Sequence, residues 1–409
     1  MKEYRYVVLG SGVAAGYAAQ EFAGLNAGKS ELAIITADSM IPYDRPPLSK
    51  AFLSGDKNPG DILINPESFY RERDIEVLTR QKVNAIRFDE RKMRSEGGDE
   101  FRFEKLLIAT GSEPRRLNLP GASLDGIHYL RQLRDSEEIR EEMGAGRRAI
   151  VIGAGFIGME VASVLARKGI DTTMVFPQER VWQSFFTPEM SAFFEGYFAE
   201  RQVKFLPCQS VAAFAGTNRV KAVQLESGQE LPADFVVAGI GAAPEVSLFE
   251  GTPLQISNGI LVNQYLETSV PEVWAAGDVA NFPDSIFEKR RRVEHWDNAV
   301  EQGRLAARNM LGHRAALRHV VYFFSDVFDL SYEFWGDTSD HDQIVSRGDM
   351  NRSSFSIWWL KHARLVAAFI MNRPDEEREL APKWIEQRLR LDADLLGDPS
   401  RPLQLQAAA

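Results

Sequence analysis

The chain has 409 residues, 44% apolar and 26% charged, which is enough for two or three domains with cores of their own. Its net charge of −10 argues against nucleic acid as the main partner, because neutralising phosphates needs a basic face. The single cysteine, Cys208, excludes an intramolecular disulfide and any thiolate-built metal or iron–sulfur site, and no apolar run approaches the length of a membrane span.

In chain order, a predicted strand, Tyr6–Leu9, runs into Gly10-Ser11-Gly12-Val13-Ala14-Ala15-Gly16, which opens a predicted helix, Val13–Phe22. G-x-G-x-x-G/A is the spacing of a phosphate-binding turn. Its glycines let the backbone turn tightly and approach a pyrophosphate, which the helix N-terminus holds with free N–H groups and the positive end of its dipole. The next strand, Leu32–Thr36, leads to Ala37-Asp38, about twenty residues past the glycines, where a ribose hydroxyl needs an acceptor. Short strands are predicted over Val83–Phe88, Lys92–Ser95 and Phe101–Glu104. A separate buried strand from Lys105 ends at Ala109-Thr110-Gly111.

The same grammar then repeats. Ala149-Ile150-Val151-Ile152 runs into Gly153-Ala154-Gly155-Phe156-Ile157-Gly158, a helix to about Lys168 and a strand, Asp171–Phe176. At the acidic position this second copy carries Phe176-Pro177-Gln178-Glu179. Gln178 would not repel a 2′-phosphate as a carboxylate would, so the choice between NADH and NADPH stays open, with NADH slightly favoured. Val220–Leu225, Glu230–Pro232 and Phe235–Ala238 follow, the last ending at Gly239-Ile240-Gly241. Beyond Pro244, Gly259–Val262 and Val273–Ala276 lead to Gly277-Asp278, and a helix is predicted over Asn298–Leu311. This stretch is expected to return to the first unit.

From His319 the pattern changes to antiparallel strands (Tyr322–Ser325, Phe334–Asp337, Ile344–Arg347, Ser354–Trp359, Leu365–Met371) and a helix, Glu376–Arg388. Trp358 and Trp359 are expected to fill the space between that sheet and helix, and the tail from Gly397 to Ala409 is expected to fray. Strands alternating with helices give an α/β chain: two doubly wound, Rossmann-like nucleotide-binding domains and a C-terminal α+β domain with an antiparallel sheet. The expected bounds are 1–113 with 245–318, 114–244, and 319–409. Either glycine motif alone also fits a turn that holds no ligand. Two together suggest two dinucleotides face to face, and hence electron transfer. Cys208 is expected to be a buried, inert thiol. The histidines show no metal-ligand spacing, so no metal is expected. Met1–Tyr4 leads straight into a strand rather than a signal segment, and a cytoplasmic location without membrane contact is expected.

Pro42-Tyr43-Asp44-Arg45-Pro46-Pro47-Leu48-Ser49-Lys50 resembles the signature of FAD-dependent ferredoxin reductases of the oxygenase type, whose relatives include monodehydroascorbate reductase and apoptosis-inducing factor. Ala109-Thr110-Gly111, Tyr129-Leu130-Arg131, Met159-Glu160, Gly239-Ile240-Gly241, Gly277-Asp278 and Arg292–Ala299 extend the resemblance over nearly the whole chain. It implies an FAD site from Gly10, Gly12, Val13, Ala14, Ala37, Asp38, Arg45, Lys50, Val83, Ala109, Thr110, Gly111, Arg131, Gly277, Asp278, His295 and Trp296. It implies an NAD(P)H site from Gly153, Gly155, Phe156, Ile157, Gln178, Gly241 and Glu294. Phe324 falls where some relatives place a tryptophan over the flavin, so the resemblance implies that Phe324 or Tyr322 packs there, although core packing of their strand is at least as good a reading.

The resemblance further implies that Lys50 and Glu160 form a catalytic ion pair beside flavin N5, where an ammonium stabilises the charge that develops on reduction. The implied activity is NAD(P)H oxidation through FAD. The acceptor would be a small iron–sulfur carrier such as a ferredoxin, or alternatively a small radical or quinone. A redox-sensing role like that of apoptosis-inducing factor is the reading from another class. Gln178 departs from the acid used by two of these groups. A lone cysteine disfavours disulfide reduction. An acidic carrier would need a local basic face, for which candidates include Arg290–Arg292. A homodimer is compatible with the sequence.

Overall fold

The computed structural model describes residues 1–404. Its first sheet has seven strands: Glu76–Leu78, Leu32–Ile35, Lys2–Leu9, Glu100–Ile108, Lys92–Ser95 and Val83–Arg87 in order, with Val273–Ala275 also on Glu100–Ile108. Phe101–Glu104 and the stretch from Lys105, expected as two strands, form the single strand Glu100–Ile108. Its first half pairs antiparallel with Lys92–Ser95 and alternates buried with exposed residues. Lys2–Leu9 runs parallel along the whole strand on one side, whereas on the other side Leu106–Ile108 takes Val273–Ala275, also parallel, and is continuously buried. The change of neighbours mid-strand makes one element read as two. The pairing of Val273–Ala275 with Leu106–Ile108 also returns the chain beyond Pro244 to the first sheet.

The second sheet is parallel throughout: Lys204–Leu206, Asp171–Val175, Arg148–Ile152, Phe235–Ala238 and Ile127–Tyr129. Beside it lies an antiparallel sheet of Val211–Gly216, Val220–Leu225 and Glu230–Pro232. The two connections between the nucleotide-binding units, Ser112–Pro114 and Ala242–Pro244, pair antiparallel with each other. The third unit is an antiparallel sheet in the order Tyr322–Val327, Leu330–Gly336, Arg364–Met371, Ser354–Lys361 and Gln343–Asp349, with the helix Asp375–Gln387 against it.

Trp358 and Trp359 do not share one role. Successive strand residues point to opposite faces. Trp358 packs toward the helix, 6.0 Å from Trp384 between ring centroids. Trp359 packs the other way, 5.7 Å from Phe334, in a core shared with Trp182, Phe186 and Phe194 of the second unit. The tail is also corrected. Ala393–Gly397 forms a short helix and Leu403 is buried. The buried guanidinium of Arg347 donates to the carbonyls of Leu396, Asp398 and Arg401. Residues 405–409 of that expectation lie outside the described ones.

Cys208 is exposed, not buried. It occupies a left-handed turn position (φ 55°) just past Lys204–Leu206, where the chain leaves the sheet. Among the described residues no helix is long and apolar enough to cross a membrane.

Candidate nucleotide site between two glycine turns

The two glycine turns are built alike. Gly10 has φ 115°, and a Cβ on it would stand 2.2 Å from the carbonyl oxygen of Ala109; Gly153 has φ 106°, with its Cβ 2.3 Å from the carbonyl oxygen of Gly239. These first glycines let one strand end pass against the next. Gly12 and Gly155 differ. Each caps its helix (Val13–Gly24 and Phe156–Arg167) at an ordinary φ of −78° or −87°. A Cβ on either would meet nothing within 4 Å. No protein atom demands glycine there, so the room suits a ligand brought against the free N–H groups of a helix end. The residues present therefore fit a bound pyrophosphate at both turns.

Both turns open onto one cavity of about 920 Å³. Gly12, Val13 and Ala14 line it from the first turn and Gly155, Phe156 and Ile157 from the second. Arg45, Lys50, Ala109, Gly111, Arg131, Glu160, Gly241, Gly277, Asp278, Glu294, His295, Trp296 and Phe324 complete the predicted residues that it gathers. Gly10, Ala37, Asp38, Val83, Thr110, Gly153 and Gln178 do not line it. Gly10 and Gly153 serve the backbone, as above. Asp38 is buried, and its oxygens already accept from the Tyr43 hydroxyl at 3.0 Å, from Arg45 at 3.3 Å and from the Met40 N–H at 3.2 Å. The Thr110 hydroxyl donates to the carbonyl of Glu245 at 2.9 Å. Val83 begins a peripheral strand, and Gln178 is exposed beyond the end of Asp171–Val175.

Lys50 is placed by the prolines before it. Their fixed φ suits the single 3₁₀ turn Pro46–Ser49, at whose C-terminal end Lys50 sits. Its ammonium is 2.8 Å from Glu160 Oε1. Glu160, 4% exposed on the second fingerprint helix, also accepts from the Ser49 hydroxyl at 2.5 Å and the Ser325 hydroxyl at 2.6 Å. One buried carboxylate of the second unit thus collects partners from the first and the third. Paired and hydrogen-bonded in this way, its charge is tolerated away from water. The Phe324 ring centroid lies 5.2 Å from the Lys50 ammonium, within cation–π range.

Arg131 and Asp278 meet in an ion pair of 2.9 Å, which the Ser112 hydroxyl joins at 2.9 Å. Trp296 Nε1 donates to Asp44 at 2.7 Å, and burial pushes the Asp44 carboxyl above its usual range. His295 stacks on Phe323 at 4.5 Å, and Phe323 on Phe334 at 4.7 Å. Burial pushes the His295 imidazole down to about 4, leaving it neutral near pH 7.

Sequence reasoning singled out neither Ser49 nor Ser325 as a partner of Glu160. Ser49 carries a local signal, since it stands inside the proline element beside Lys50. Ser325 carries none, because its partner is 165 residues away. The pair of His319 and Asp297, 2.5 Å apart at the start of the helix Trp296–Met310, was likewise not foreseen.

The basic run is corrected. Lys289–Arg292 is a strand beside Ala280–Asp284, and its charges are met within the fold. Lys289 pairs with Asp337 at 2.6 Å and Arg291 with Asp284 and Asp337. Arg292 pairs with Glu294 at 2.5 Å, and Arg290 donates to the carbonyls of Val262 and Asn281. Only Arg290 is exposed without a carboxylate partner among the described residues, so the run presents no cluster of free charges.

Comparison with known proteins agrees with this geometry. Residues 4–303 match the family described as pyridine nucleotide-disulphide oxidoreductase, and residues 322–407 match the reductase C-terminal family. The chain is 33% identical over 404 residues to a monodehydroascorbate reductase of Pisum sativum, covering 92% of this chain and 93% of that protein. It is 35% identical over 417 residues to the seedling isozyme of monodehydroascorbate reductase from Cucumis sativus, covering 93% of each. Among solved structures, the reductase of the covalent putidaredoxin reductase–putidaredoxin complex superposes with a TM-score of 0.93 at 31% identity, over 100% of this chain and 99% of that one. The ferredoxin reductase for the CYP199A2 system from Rhodopseudomonas palustris gives 0.93 at 32%, over 99% and 100%.

Proposed function

The chain belongs to the pyridine nucleotide-disulphide oxidoreductase family, and from that premise we propose that its large cavity seats FAD and NAD(P)H against each other and passes electrons on to a small iron–sulfur protein. The observation that carries this reading is the shared cavity: both glycine turns open into it, with Lys50 and Glu160 on its wall. In this reading, residues 1–113 and 245–318 form the FAD domain, 114–244 the NAD(P)H domain and 319–409 the third domain. The return of Val273–Ala275 to the first sheet supports that division.

The first turn, with Arg45, Arg131, Asp278 and Trp296, would hold FAD. The second turn, with Phe156, Ile157, Gly241 and Glu294, would hold the nicotinamide nucleotide. The chemistry supplied by the bound pair is hydride transfer to flavin, followed by release of electrons to an acceptor. Glu160, Ser49 and Ser325 fix the ammonium of Lys50 in one place, so that a preorganised positive charge stands where negative charge develops. The Arg131–Asp278 pair bridges the two units across the cavity and orients both side chains for polar groups of the cofactor. Neutral His295, stacked with Phe323 and Phe334, gives the cavity a wall that excludes water without adding charge.

The iron–sulfur acceptor is supported by the end-to-end likeness to the reductase solved in covalent complex with putidaredoxin. A small-molecule acceptor is the second reading. It is favoured by a neighbouring cavity of about 420 Å³ that shares Pro46, Lys50, Trp296 and Phe324 with the first, and by the relatives named monodehydroascorbate reductase. The test is to reduce the flavin-loaded protein anaerobically with NADH and follow reoxidation by a [2Fe–2S] ferredoxin, a quinone or monodehydroascorbate. Fastest reoxidation by the ferredoxin is expected. Reoxidation by a small molecule alone transfers the proposal to the second reading, and a polypeptide that cannot be loaded with FAD removes both.

A further inference from the structure

We propose that His319 is a positioning residue for the reduction: it holds Asp297 and, as a cation, cancels that carboxylate's charge at the cavity wall, which makes the reduction sensitive to pH. The proposal rests on the reading that the cavity seats FAD. Five carboxylates line that cavity: Glu160, Asp278, Glu294, Asp297 and Asp337. Four are answered by lysine or arginine. Lys50 is 2.8 Å from Glu160, Arg131 2.9 Å from Asp278, Arg292 2.5 Å from Glu294 and Lys289 2.6 Å from Asp337. Asp297 differs. Among the described residues its only side-chain partner is His319, whose Nε2 lies 2.5 Å from its Oδ2. Of the side chains that answer these five, only an imidazole ordinarily changes charge near neutral pH.

The pair stands where the helix Trp296–Met310 begins and the chain enters the third sheet, with 22% of the His319 side chain and 20% of the Asp297 side chain exposed. An acid in the first turn of a helix offsets the positive end of its dipole. Asp297 therefore weakens the field that this helix presents to the cavity, unless a cation answers it. The other acids near His319 have cations of their own. Glu301 on the same helix lies 3.7 Å from Arg304, and Asp284 is held by Arg291. Arg318, the neighbour of His319, pairs with Glu386 at 3.1 Å. Burial alone would push the imidazole down, but the hydrogen bond and charge of Asp297, with Glu301 and Asp284 behind it, outweigh burial and hold His319 above its ordinary value. The charge of Asp297 is felt by two groups of the cavity wall, His295 and Tyr322. Neither acts as the switch, since burial keeps His295 neutral near pH 7 and pushes the Tyr322 hydroxyl above its usual range. A hydride that leaves NADH, releasing NAD⁺, brings one negative charge into the cavity. That charge favours the imidazolium, so near the pH at which His319 titrates, reduction draws a proton from solvent to its ring. At higher pH Asp297 stands unanswered and reduction is disfavoured.

The test is anaerobic redox titration of the flavin-loaded protein from about pH 6 to about pH 9, which spans the histidine range. His319→Gln keeps a donor for Asp297 but no charge. At the lower pH its reduced-to-oxidised ratio at a fixed potential should fall about fivefold, the scale of one charge at a helix end, or about 20 mV for a two-electron couple. The gap should close toward the higher pH, where the imidazole of the unaltered protein is neutral as well. Asp297→Asn removes the carboxylate instead, and its ratio should exceed that of the unaltered protein by about fivefold at the higher pH; it carries the test if His319→Gln does not fold. A gap below about twofold at the lower pH, a gap that pH does not change, or no gain in Asp297→Asn overturns the proposal, since His319 would then only pin the start of the third unit. Those results leave the FAD reading intact, whereas a polypeptide that cannot be loaded with FAD removes that reading and the proposal with it.

Discussion

Replacing Lys50 by Met tests whether its charge serves Glu160 or the cavity. Glu160 is 4% exposed and holds three donors, of which Lys50 is the only cation. Removing that cation leaves a buried carboxylate with two hydroxyls, a change that destabilises a protein by about 3–5 kcal/mol. Lys50 itself keeps 15% of its side-chain surface, so some water can approach and the lower end, about 3 kcal/mol, is expected. In Lys50→Met/Glu160→Gln neither charge is left, and most of that loss should return, to within about 1 kcal/mol of the unaltered protein. Flavin reduction should behave differently. Loss of one preorganised charge slows the reacting step by roughly a hundredfold, and the double variant should stay slow because its ammonium is still missing. Urea denaturation measures the first quantity and stopped-flow anaerobic reduction by NADH the second. A double variant that recovers both stability and rate would refute the reasoning, since Lys50 would then only neutralise Glu160.

The glycine turns separate folding from binding. Gly10→Ala places a Cβ 2.2 Å from a backbone oxygen at φ 115° and should lower the stability of the apoprotein by about 3 kcal/mol or more. Gly12→Ala meets no atom and should leave apoprotein stability within about 0.5 kcal/mol while the purified protein loses its yellow colour. His295 makes stability pH-dependent in a stated direction. Its folded value of about 4 lies below the ordinary 6.5, so the unfolded chain takes up a proton first. Stability should fall as pH drops from about 6.5 to 4, by about 3 kcal/mol at most. In His295→Phe denaturant midpoints should lose that part of the slope. Arg347, 5% exposed, binds Glu377 and three tail carbonyls. Arg347→Ala should lower stability by about 3 kcal/mol and open the tail to trypsin at Arg401.

The features readable from sequence were those whose cause is local. A glycine turn needs its glycines within six residues of one another, and the two prolines before Ser49 determine where Lys50 stands without help from afar. What escaped was decided by distant partners. Nothing near Arg291 announces Asp337, far along the chain, as its acceptor, so a strand whose charges are mostly met read as a basic surface. Asp38 is different, since its partners Tyr43 and Arg45 stand only five and seven residues on, but the turn that brings them back onto it has no marker of its own. Alternation along the strand already set Trp358 and Trp359 on opposite faces, and what only the neighbours reveal is which face meets the helix.

Glu160 lies between these cases. The helix that carries it follows from the glycine turn, but its charge is acceptable only because Ser49, 111 residues before it, and Ser325, 165 residues after it, arrive at the same carboxylate. In the proposed reading that convergence ties the third unit to the chemistry. Ser325→Ala deletes a hydroxyl far outside both nucleotide-binding motifs, yet it leaves the carboxylate that positions Lys50 one donor short. It should slow flavin reduction several-fold, by about 1–2 kcal/mol, and leave nucleotide affinity unchanged. If stopped-flow reduction of Ser325→Ala matches that of the unaltered protein, the third unit only shelters the site and takes no part in holding it.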